Sequence, residues 1–325
     1  MSYLVLKRGM TLSHSIDDYP EGIVVAVDKP YRWTSADVIR KVKWMAVKHF
    51  RKKNLKVGHA GTLDPLATGV LLVCIGKATK LAEQLQKEPK QYLAGVTFGA
   101  TTASYDREKD VNAFFPLDGV SEKSLQAALP SFVGEQEQVA PLFSAKSVDG
   151  VRVYELARKR YKAGLPVEEP GLLQASRINI YGLELVSFSK SGIAAVGCVD
   201  REACPSERRA TLGNVRGRGP TARLGGMSGG AANRIGGTGS PATQQPASAS
   251  NRINVAEIPA GLPQAEILVD CSKGTYIRAL ARDLGEALGS GAFLHSLRRT
   301  KNGGFVVEEA LSIEDLGTIF WHASN

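Results

Sequence analysis

The chain has 325 residues, of which 43% are hydrophobic, and these values exclude collagen-like, coiled-coil and wholly disordered classes. The longest uninterrupted apolar run, from Val70 to Ile75, is far shorter than the roughly 20 residues that a membrane span needs. The N-terminus lacks the pattern of a signal peptide, so we expect a soluble, cytoplasmic protein with no membrane partner. The 41 Lys and Arg outnumber the 32 Asp and Glu, which favours a polyanionic partner.

The predicted elements alternate between strands and helices along the chain. An apolar run at 23–27 predicts a strand, and Thr34 or Ser35 is a candidate N-cap for the helix that follows. Apolar periodicity predicts further strands and helices, with Gly289 ending the last helix. The strands are predicted at 92–98, 177–188 and 265–271, and the helices at 122–129, 153–162 and 276–288.

No glycine-rich motif of a nucleotide-binding fold follows a strand, so the pattern favours an α+β architecture over a doubly wound one. The four cysteines lie far apart and have no neighbouring histidine cluster, so the sequence predicts neither a disulfide framework nor a metal site.

Basic residues concentrate at 40–56, where eight Lys or Arg occur without an acid on a segment of helical apolar spacing. One face of this segment is expected to pack and the other to be strongly positive. Such a face could bind phosphates, and a solvated basic face without a ligand explains the charge equally well.

Residues 201–251 differ from the rest of the chain in composition. They contain 10 Gly and 8 Ala, no aromatic residue, and seven Arg against two Glu. Such a segment cannot bury enough apolar surface to offset its ordering entropy, and we predict a disordered insertion. Loose RNA binding by its Arg-Gly pairs is possible on composition, but a tolerated loop without a function is the simpler interpretation.

The stretch 58–71 reads Gly-His-Ala-Gly-Thr-Leu-Asp-Pro-Leu-Ala-Thr-Gly-Val-Leu. Rigid turns beside an acid are a way to hold a carboxylate in a cleft. Asp64 before Pro65 is also typical of a helix N-cap, and a lone histidine such as His59 is more often structural than catalytic. The stretch alone leaves these alternatives open.

This stretch resembles the signature of the TruB family of tRNA pseudouridine synthases, in which the aspartate of the Leu-Asp-Pro triplet is catalytic. Further blocks resemble the family in the same order, so that the resemblance covers roughly residues 22–199 and 255–316. These blocks are Asp28-Lys29-Pro30 with Trp33-Thr34-Ser35, Lys90-Gln91-Tyr92, Phe143-Ser144-Ala145 with the segment 154–158, the segment 271–278, and Leu297-Arg298-Arg299-Thr300.

The resemblance implies a pseudouridine synthase fold, which is α+β with a mixed, mostly antiparallel central sheet flanked by helices and RNA-binding loops. It implies one catalytic domain formed by 1–200 and 252–325 and interrupted by the insertion. Only 25 residues follow Thr300, so we expect no C-terminal PUA domain for RNA binding.

The implied activity is that of a tRNA pseudouridine(55) synthase, an isomerase that converts uridine 55 in the TΨC loop of tRNA to pseudouridine. The reaction has no net redox change or hydrolysis, so no cofactor and no metal are expected. The implied partner is the T-arm of tRNA, and a monomer is the default. Two alternatives stay open: a guide-dependent synthase of ribosomal RNA, and a non-catalytic RNA-binding or tRNA-folding protein.

By resemblance, Asp64 is the catalytic residue and Arg278 is the cation that keeps its carboxylate ionised. Without the family context, Arg278 would be assigned to the helix surface. The family's roles for the substrate-binding residues are stacking on the flipped base for Tyr92, flanking the base for Tyr276 and Leu297, and RNA contact for His59. A core position is the alternative for Tyr92. Phosphates are assigned to Lys29, the 40–56 segment and the pair Arg298-Arg299.

The chain departs from the family pattern in two loops. The family's Thr-Asp-Thr-x-Asp-x-x-Gly turn is Thr-Ala-Ser-Tyr-Asp-Arg-Glu-Lys at 102–109, without the first acid and the glycine. The lysine of Ser-Ala-x-Lys is displaced by one position, to Lys146. We expect these changes to affect RNA affinity more than chemistry.

Overall fold

A computed structural model describes residues 3–144, 147–148, 151–165, 173–191, 253 and 255–321. All of these belong to one compact unit. The predicted insertion at 201–251 and the displaced Lys146 lie outside the described residues. No helix in the described part of the chain is both long enough and apolar enough to cross a membrane.

A ten-stranded sheet forms the centre of the fold, with the order β1-β2-β4-β13-β5-β12-β11-β8, β3 beside β4 and β14 beside β13. Only the β1–β2 and β4–β13 pairs are parallel. The predicted α+β class with a mixed, mostly antiparallel sheet is therefore confirmed. The strands of this sheet are β1 (Leu4–Leu6), β2 (Ile23–Lys29), β3 (Val57–Ala60), β4 (Ala67–Ile75), β5 (Lys90–Phe98), β8 (Gly134–Gln138), β11 (Ser176–Ser189), β12 (Gln264–Cys271), β13 (Ala292–Asn302) and β14 (Phe305–Val306).

Helices and two small sheets surround the central sheet. The small sheets are β6 (Ala100–Thr102) with β7 (Val111–Phe114), and β9 (Ser147–Val148) with β10 (Val151–Arg152). The α-helices are α1 (Ser35–Phe50), α2 (Ala82–Lys87), α3 (Glu122–Ala128), α4 (Val153–Lys162), α5 (Ile277–Ala287) and α6 (Ile313–Trp321). Every predicted strand and helix is present, and most of their boundaries shift by one or two residues.

The apolar run at 70–75 is the central part of β4, and its six residues are fully buried. Alternate side chains enter two different cores: Leu71 and Val73 join the larger cluster, whereas Leu72 and Cys74 join the smaller one. Because β4 is covered on both faces, its sequence reads as a continuous apolar run.

Helix α1 begins with a capping box, in which Thr34 and Asp37 satisfy each other's backbone amides. It ends at Phe50, followed by Arg51 in the left-handed conformation with φ of 52°. The basic 40–56 segment is therefore helical only in its first part. Its last residues form the turn that leads into β3.

Asp64 does not cap a helix, so that alternative is wrong. Pro65 and Leu66 form a turn in which the amide of Ala67 donates to the carbonyl of Asp64 at 3.1 Å, and β4 begins at Ala67. The chain enters the sheet at once because Ala67 is already in register with Leu297 of β13.

Candidate active site

The side chain of Asp64 lies in a cleft. The cleft is formed by the turn before β4, the loop after β6, the first turn of α5 and the middle of β13. The lining residues are Asp64, Leu66, Ala67, Asp106, Arg107, Arg278, Leu294, His295, Ser296 and Leu297. The side chain of Asp64 is 40% exposed, so its carboxylate is accessible from the cleft.

Both neighbours of Asp64 are fixed through their backbone. The amide of Leu63 donates to the Ser35 hydroxyl at 2.9 Å, and that hydroxyl donates to the Leu63 carbonyl at 3.0 Å. On the other side, Lys29 Nζ donates to the Pro65 carbonyl at 3.2 Å. The Lys-Pro and Thr-Ser pairs thus hold the turn that carries the acid.

Lys29 is fully buried, which corrects the expectation that it holds a phosphate. Its ammonium also donates to the carbonyls of Pro30 at 2.9 Å and Trp33 at 2.6 Å. Burial lowers the pKa of Lys29 to about 7, although the carboxylate of Asp64 counteracts this shift. The lysine is a structural clamp, and no surface is left on it for RNA.

The pair Arg298-Arg299 requires a second correction. Arg299 is 1% exposed and donates to the carbonyls of Val70 at 2.6 Å and Gly61 at 3.2 Å. Arg298 directs its guanidinium to both oxygens of Asp28, at 2.8 and 3.2 Å. Arg299 is too buried to reach a phosphate, and the fork of Arg298 is already engaged by a carboxylate.

Arg278 extends from the first turn of α5 to the acid of the cleft. Its Nε lies 3.0 Å from Asp64 Oδ2, and its two Nη atoms donate to the carbonyls of Ser104 at 3.1 Å and Phe143 at 2.8 Å. The residue is 5% exposed, so the alternative of a surface arginine is wrong. An accessible carboxylate is paired here with a buried, fully oriented cation.

The charge of Arg278 is stable in this setting. Burial acts to lower the pKa of its guanidinium, but the carboxylates of Asp64 and Asp106 outweigh burial and raise the pKa. A guanidinium that stays charged favours the ionised form of the carboxylate beside it.

Asp106 is a second acid in the cleft, and sequence reasoning missed its role. Its Oδ2 lies 3.8 Å from Arg278 Nε, and Oδ1 accepts from the Ser104 hydroxyl and from the Glu108 amide at 2.9 Å. Burial raises its pKa, and Arg278 and Ser104 oppose that shift. The loop at 102–109, which departs from the family pattern, therefore contacts Arg278, the partner of Asp64. In the sequence, the signal for this role was Asp106 itself, with the polar residues Ser104 and Glu108 two positions away on each side.

His295 also lines the cleft and was not predicted. Burial, together with the nearby charge of Arg107, lowers its pKa to about 4. Its Nδ1 lies 3.0 Å from Thr97 Oγ1, so a neutral, oriented imidazole forms part of the cleft wall.

Tyr92 and Leu297 stand on adjacent strands of the sheet below the cleft. Tyr92 on β5 is 9% exposed, belongs to the main core cluster and is hydrogen-bonded through its side chain to Arg299. Leu297 on β13 lines the cleft and pairs in register with Ala94 of β5. The structure thus gives Tyr92 both the core packing that was the alternative and a place near the turn of Asp64.

Tyr276 and His59 lie at the margins of the site. The Tyr276 amide donates to Gln138 Oε1 at 2.8 Å, and burial raises the pKa of its phenol. His59 on β3 is partly buried, which lowers its pKa, and its buried Nδ1 has no hydrogen-bond partner among the described residues. No group of three or more acidic, His or Cys side chains in the described ranges could hold a metal ion.

Family models and known proteins agree with this architecture. The TruB family pseudouridylate synthase N-terminal domain matches residues 48–199, and the tRNA pseudouridylate synthase B C-terminal domain matches residues 278–325. The tRNA pseudouridine synthase B of Phocaeicola vulgatus is 36% identical over 91% of this chain and 92% of that protein. The tRNA pseudouridine synthase B of Thermus thermophilus is 36% identical over 90% of this chain and 76% of that protein.

A solved structure shows the same fold. A chain of the Cbf5-Nop10-Gar1 complex aligns with 95% of this chain at 20% identity and a TM-score of 0.52. This chain spans 58% of the length of that one. The predicted pseudouridine synthase fold is confirmed. With two family models in order along the sequence and relatives similar over nine-tenths of it, the chain belongs to the TruB family.

Proposed function

We propose that this protein is a tRNA pseudouridine synthase, an isomerase that converts uridine 55 in the T-arm of tRNA to pseudouridine. The observation that carries the proposal is the pairing of Asp64 with the buried Arg278 at 3.0 Å in an open cleft. A protein that only binds RNA gains nothing from an accessible carboxylate facing a polyanion.

The proposed reaction exchanges one bond of the nucleoside for another. The bond between C1′ of the ribose and N1 of uracil breaks, the base turns, and C1′ joins C5. The proton on C5 is lost and N1 gains one, so the product is an isomer of the substrate. The Asp64 carboxylate acts as the nucleophile or stabilises positive charge on the sugar, and it accepts a proton as base.

Arg278 has two tasks in this proposal. It keeps Asp64 ionised, and it fixes the position of the carboxylate oxygen at which the reaction begins. The carbonyls of Ser104 and Phe143 hold the guanidinium, so the electrostatic environment of Asp64 exists before the RNA arrives. Asp106 shares the same cation, with its Oδ2 3.8 Å from Arg278 Nε.

The target base has to leave its stack, which costs a few kcal/mol. We propose that Tyr92 and Leu297 below the cleft and Tyr276 beside it receive the base, and that His59 contacts the RNA next to the catalytic turn. Stacking on an aromatic face contributes about 1–3 kcal/mol, enough to offset much of that cost. The exposed basic residues of α1 contribute phosphate contacts whose strength falls with salt. We assign the enzyme to the cytoplasm and to the monomeric state.

The test uses a T-arm stem-loop transcript, mapped for pseudouridine by carbodiimide-blocked primer extension. The wild-type protein is expected to produce one new stop at the target uridine, and a transcript with cytidine at that position is the control. Modification that requires an added guide RNA would instead support the guide-dependent alternative. Tight binding with no modification under any of these conditions would support the non-catalytic binder.

A further inference from the structure

Two tryptophans meet on the surface at a distance from the cleft. Trp44 of α1 and Trp321 at the end of α6 are 46% and 45% exposed, with ring centroids 5.2 Å apart and planes inclined by 64°. Large half-exposed aromatic side chains in contact with each other are uncommon on a surface that binds nothing. We call Trp44 and Trp321 the indole pair.

Cations surround the indole pair in a regular pattern. Arg40, Trp44 and Lys48 are exposed and four residues apart, so they follow one another at single turns of α1, about 5.4 Å each. Lys43 is exposed beside them, and Lys41 Nζ lies 5.2 Å from the centroid of the Trp44 ring. An aromatic ring therefore stands between cations on one helix.

Little negative charge opposes these cations. The sequence has no acid from residue 38 to residue 56, and the nearest one, Asp37, is engaged by the capping box and by Arg40. In the described part of the chain, neither Lys43 nor Lys48 forms an ion pair. On α6 the acids occupy the first turn, whereas Trp321 is the last residue.

We propose that the indole pair, with Lys43 and Lys48, is a second RNA-binding surface on which an unpaired base stacks while adjacent phosphates contact the cations. Aromatic faces accept any base, and the cations on either side of Trp44 match the phosphates on either side of a stacked base.

The surface is separate from the catalytic cleft. Ser35, at the start of α1, binds the turn that carries Asp64, and Trp44 is nine residues further, about 14 Å along the helix axis. The identity of the RNA as the tRNA substrate rests on the proposed function, whereas the stacking itself does not. A generic single-stranded RNA can therefore probe it.

The experiment titrates the full-length protein with a twelve-residue oligouridine and follows tryptophan emission and the anisotropy of a labelled oligomer. Saturable quenching is expected in the wild type, because a stacked base quenches indole fluorescence. The double variant Trp44→Leu, Trp321→Leu should lose most of this quenching and bind at least fivefold more weakly. Phe114→Leu is the matched control, since Phe114 is an exposed aromatic residue on β7, at 69% exposure, and should leave binding unchanged.

Turnover on the T-arm stem-loop separates the two proposals. If the wild type converts the stem-loop, the double variant should do so at the same rate at saturating RNA, which also shows that it is folded. A wild type without turnover would remove the proposed function and leave the oligouridine result standing by itself. Equal oligouridine affinity of the wild type and the double variant, or wild-type emission that oligouridine does not quench, would overturn the second surface.

Discussion

The two buried arginines of the site, Arg299 and Arg278, show how one residue type serves two purposes. Each donates to two backbone carbonyls, but only Arg278 also lies next to carboxylates, those of Asp64 and Asp106. Within the described residues, Arg299 forms no ion pair. Arg299 therefore supports the sheet and the turn of Asp64, whereas Arg278 supplies the electrostatic environment of the acid.

The carbonyls that hold the two arginines differ in origin. Those of Arg299 belong to Gly61 and Val70, on either side of the turn that carries Asp64. Those of Arg278 belong to Ser104 and Phe143, two loops that are far apart in sequence and outside the central sheet. The position of the acid thus depends on the sheet, and the position of the cation depends on loops.

The largest effect expected outside Asp64 itself separates these roles directly. Arg278→Met should reduce turnover on the T-arm stem-loop about 10²–10³-fold, because the oriented charge at the reacting carboxylate is lost. It also leaves Asp106 buried beside no cation, and we expect a loss of about 3–5 kcal/mol in the free energy of unfolding. Single-turnover kinetics and urea unfolding measure the two effects.

Arg299→Met is the matched control for that prediction. It should destabilise the protein by leaving buried carbonyls unsatisfied, while turnover per folded molecule falls less than about tenfold. Equal losses of turnover in the two variants would contradict the division of roles between the arginines.

The burial of Lys29 should make the free energy of unfolding of the protein depend on pH. The pKa of Lys29 is about 7 in the folded protein, below its ordinary value of 10.5. At a pH between these two values, Lys29 therefore binds fewer protons in the folded state than in the unfolded state. The stability of the wild type should therefore rise with pH relative to Lys29→Met, by about 3 kcal/mol from pH 6 to pH 9. Urea unfolding at both values measures it, and a difference between the two proteins that does not change with pH would contradict a buried lysine.

The smallest of these effects is expected for Ser35, which holds Leu63 on the other side of Asp64. Ser35→Ala removes the partner of both backbone groups of Leu63, and we expect a loss of about 1–2 kcal/mol in the free energy of unfolding. Turnover should fall as well, because the turn of Asp64 gains freedom. Ser13→Ala, at an exposed hydroxyl bound to Asp18, is the control and should change neither quantity. Unchanged stability in Ser35→Ala would show that the clamp at Leu63 is dispensable.

Local patterns predicted the elements well, because caps and periodicity act over a few residues. Thr34 with Asp37 fixes the start of α1, and the apolar alternation on β5 fixes the strand of Tyr92. The pairing of Asp64 with Arg278 was available only through the family resemblance, since the two residues are far apart in the chain.

What the sequence did not show depends on contacts between distant segments. Arg278 meets its two carbonyl partners across 174 and 135 residues, and neither carbonyl has a signature in the sequence. Lys29 was assigned to phosphates, whereas its burial depends on the convergence of three backbone carbonyls on its ammonium. Asp106 lies in the loop at 102–109, whose departures from the family pattern were expected to affect RNA affinity more than chemistry.

The most direct test of the account compares Asp64→Asn with Asp106→Asn in single-turnover conversion of the T-arm stem-loop. Asparagine keeps the shape of the side chain but cannot be a nucleophile or base, so Asp64→Asn should reduce conversion at least a thousandfold and still bind the RNA. Asp106→Asn should be slower than the wild type and remain measurable. Conversion by Asp64→Asn at a rate near that of the wild type would contradict the assignment of the chemistry to this carboxylate.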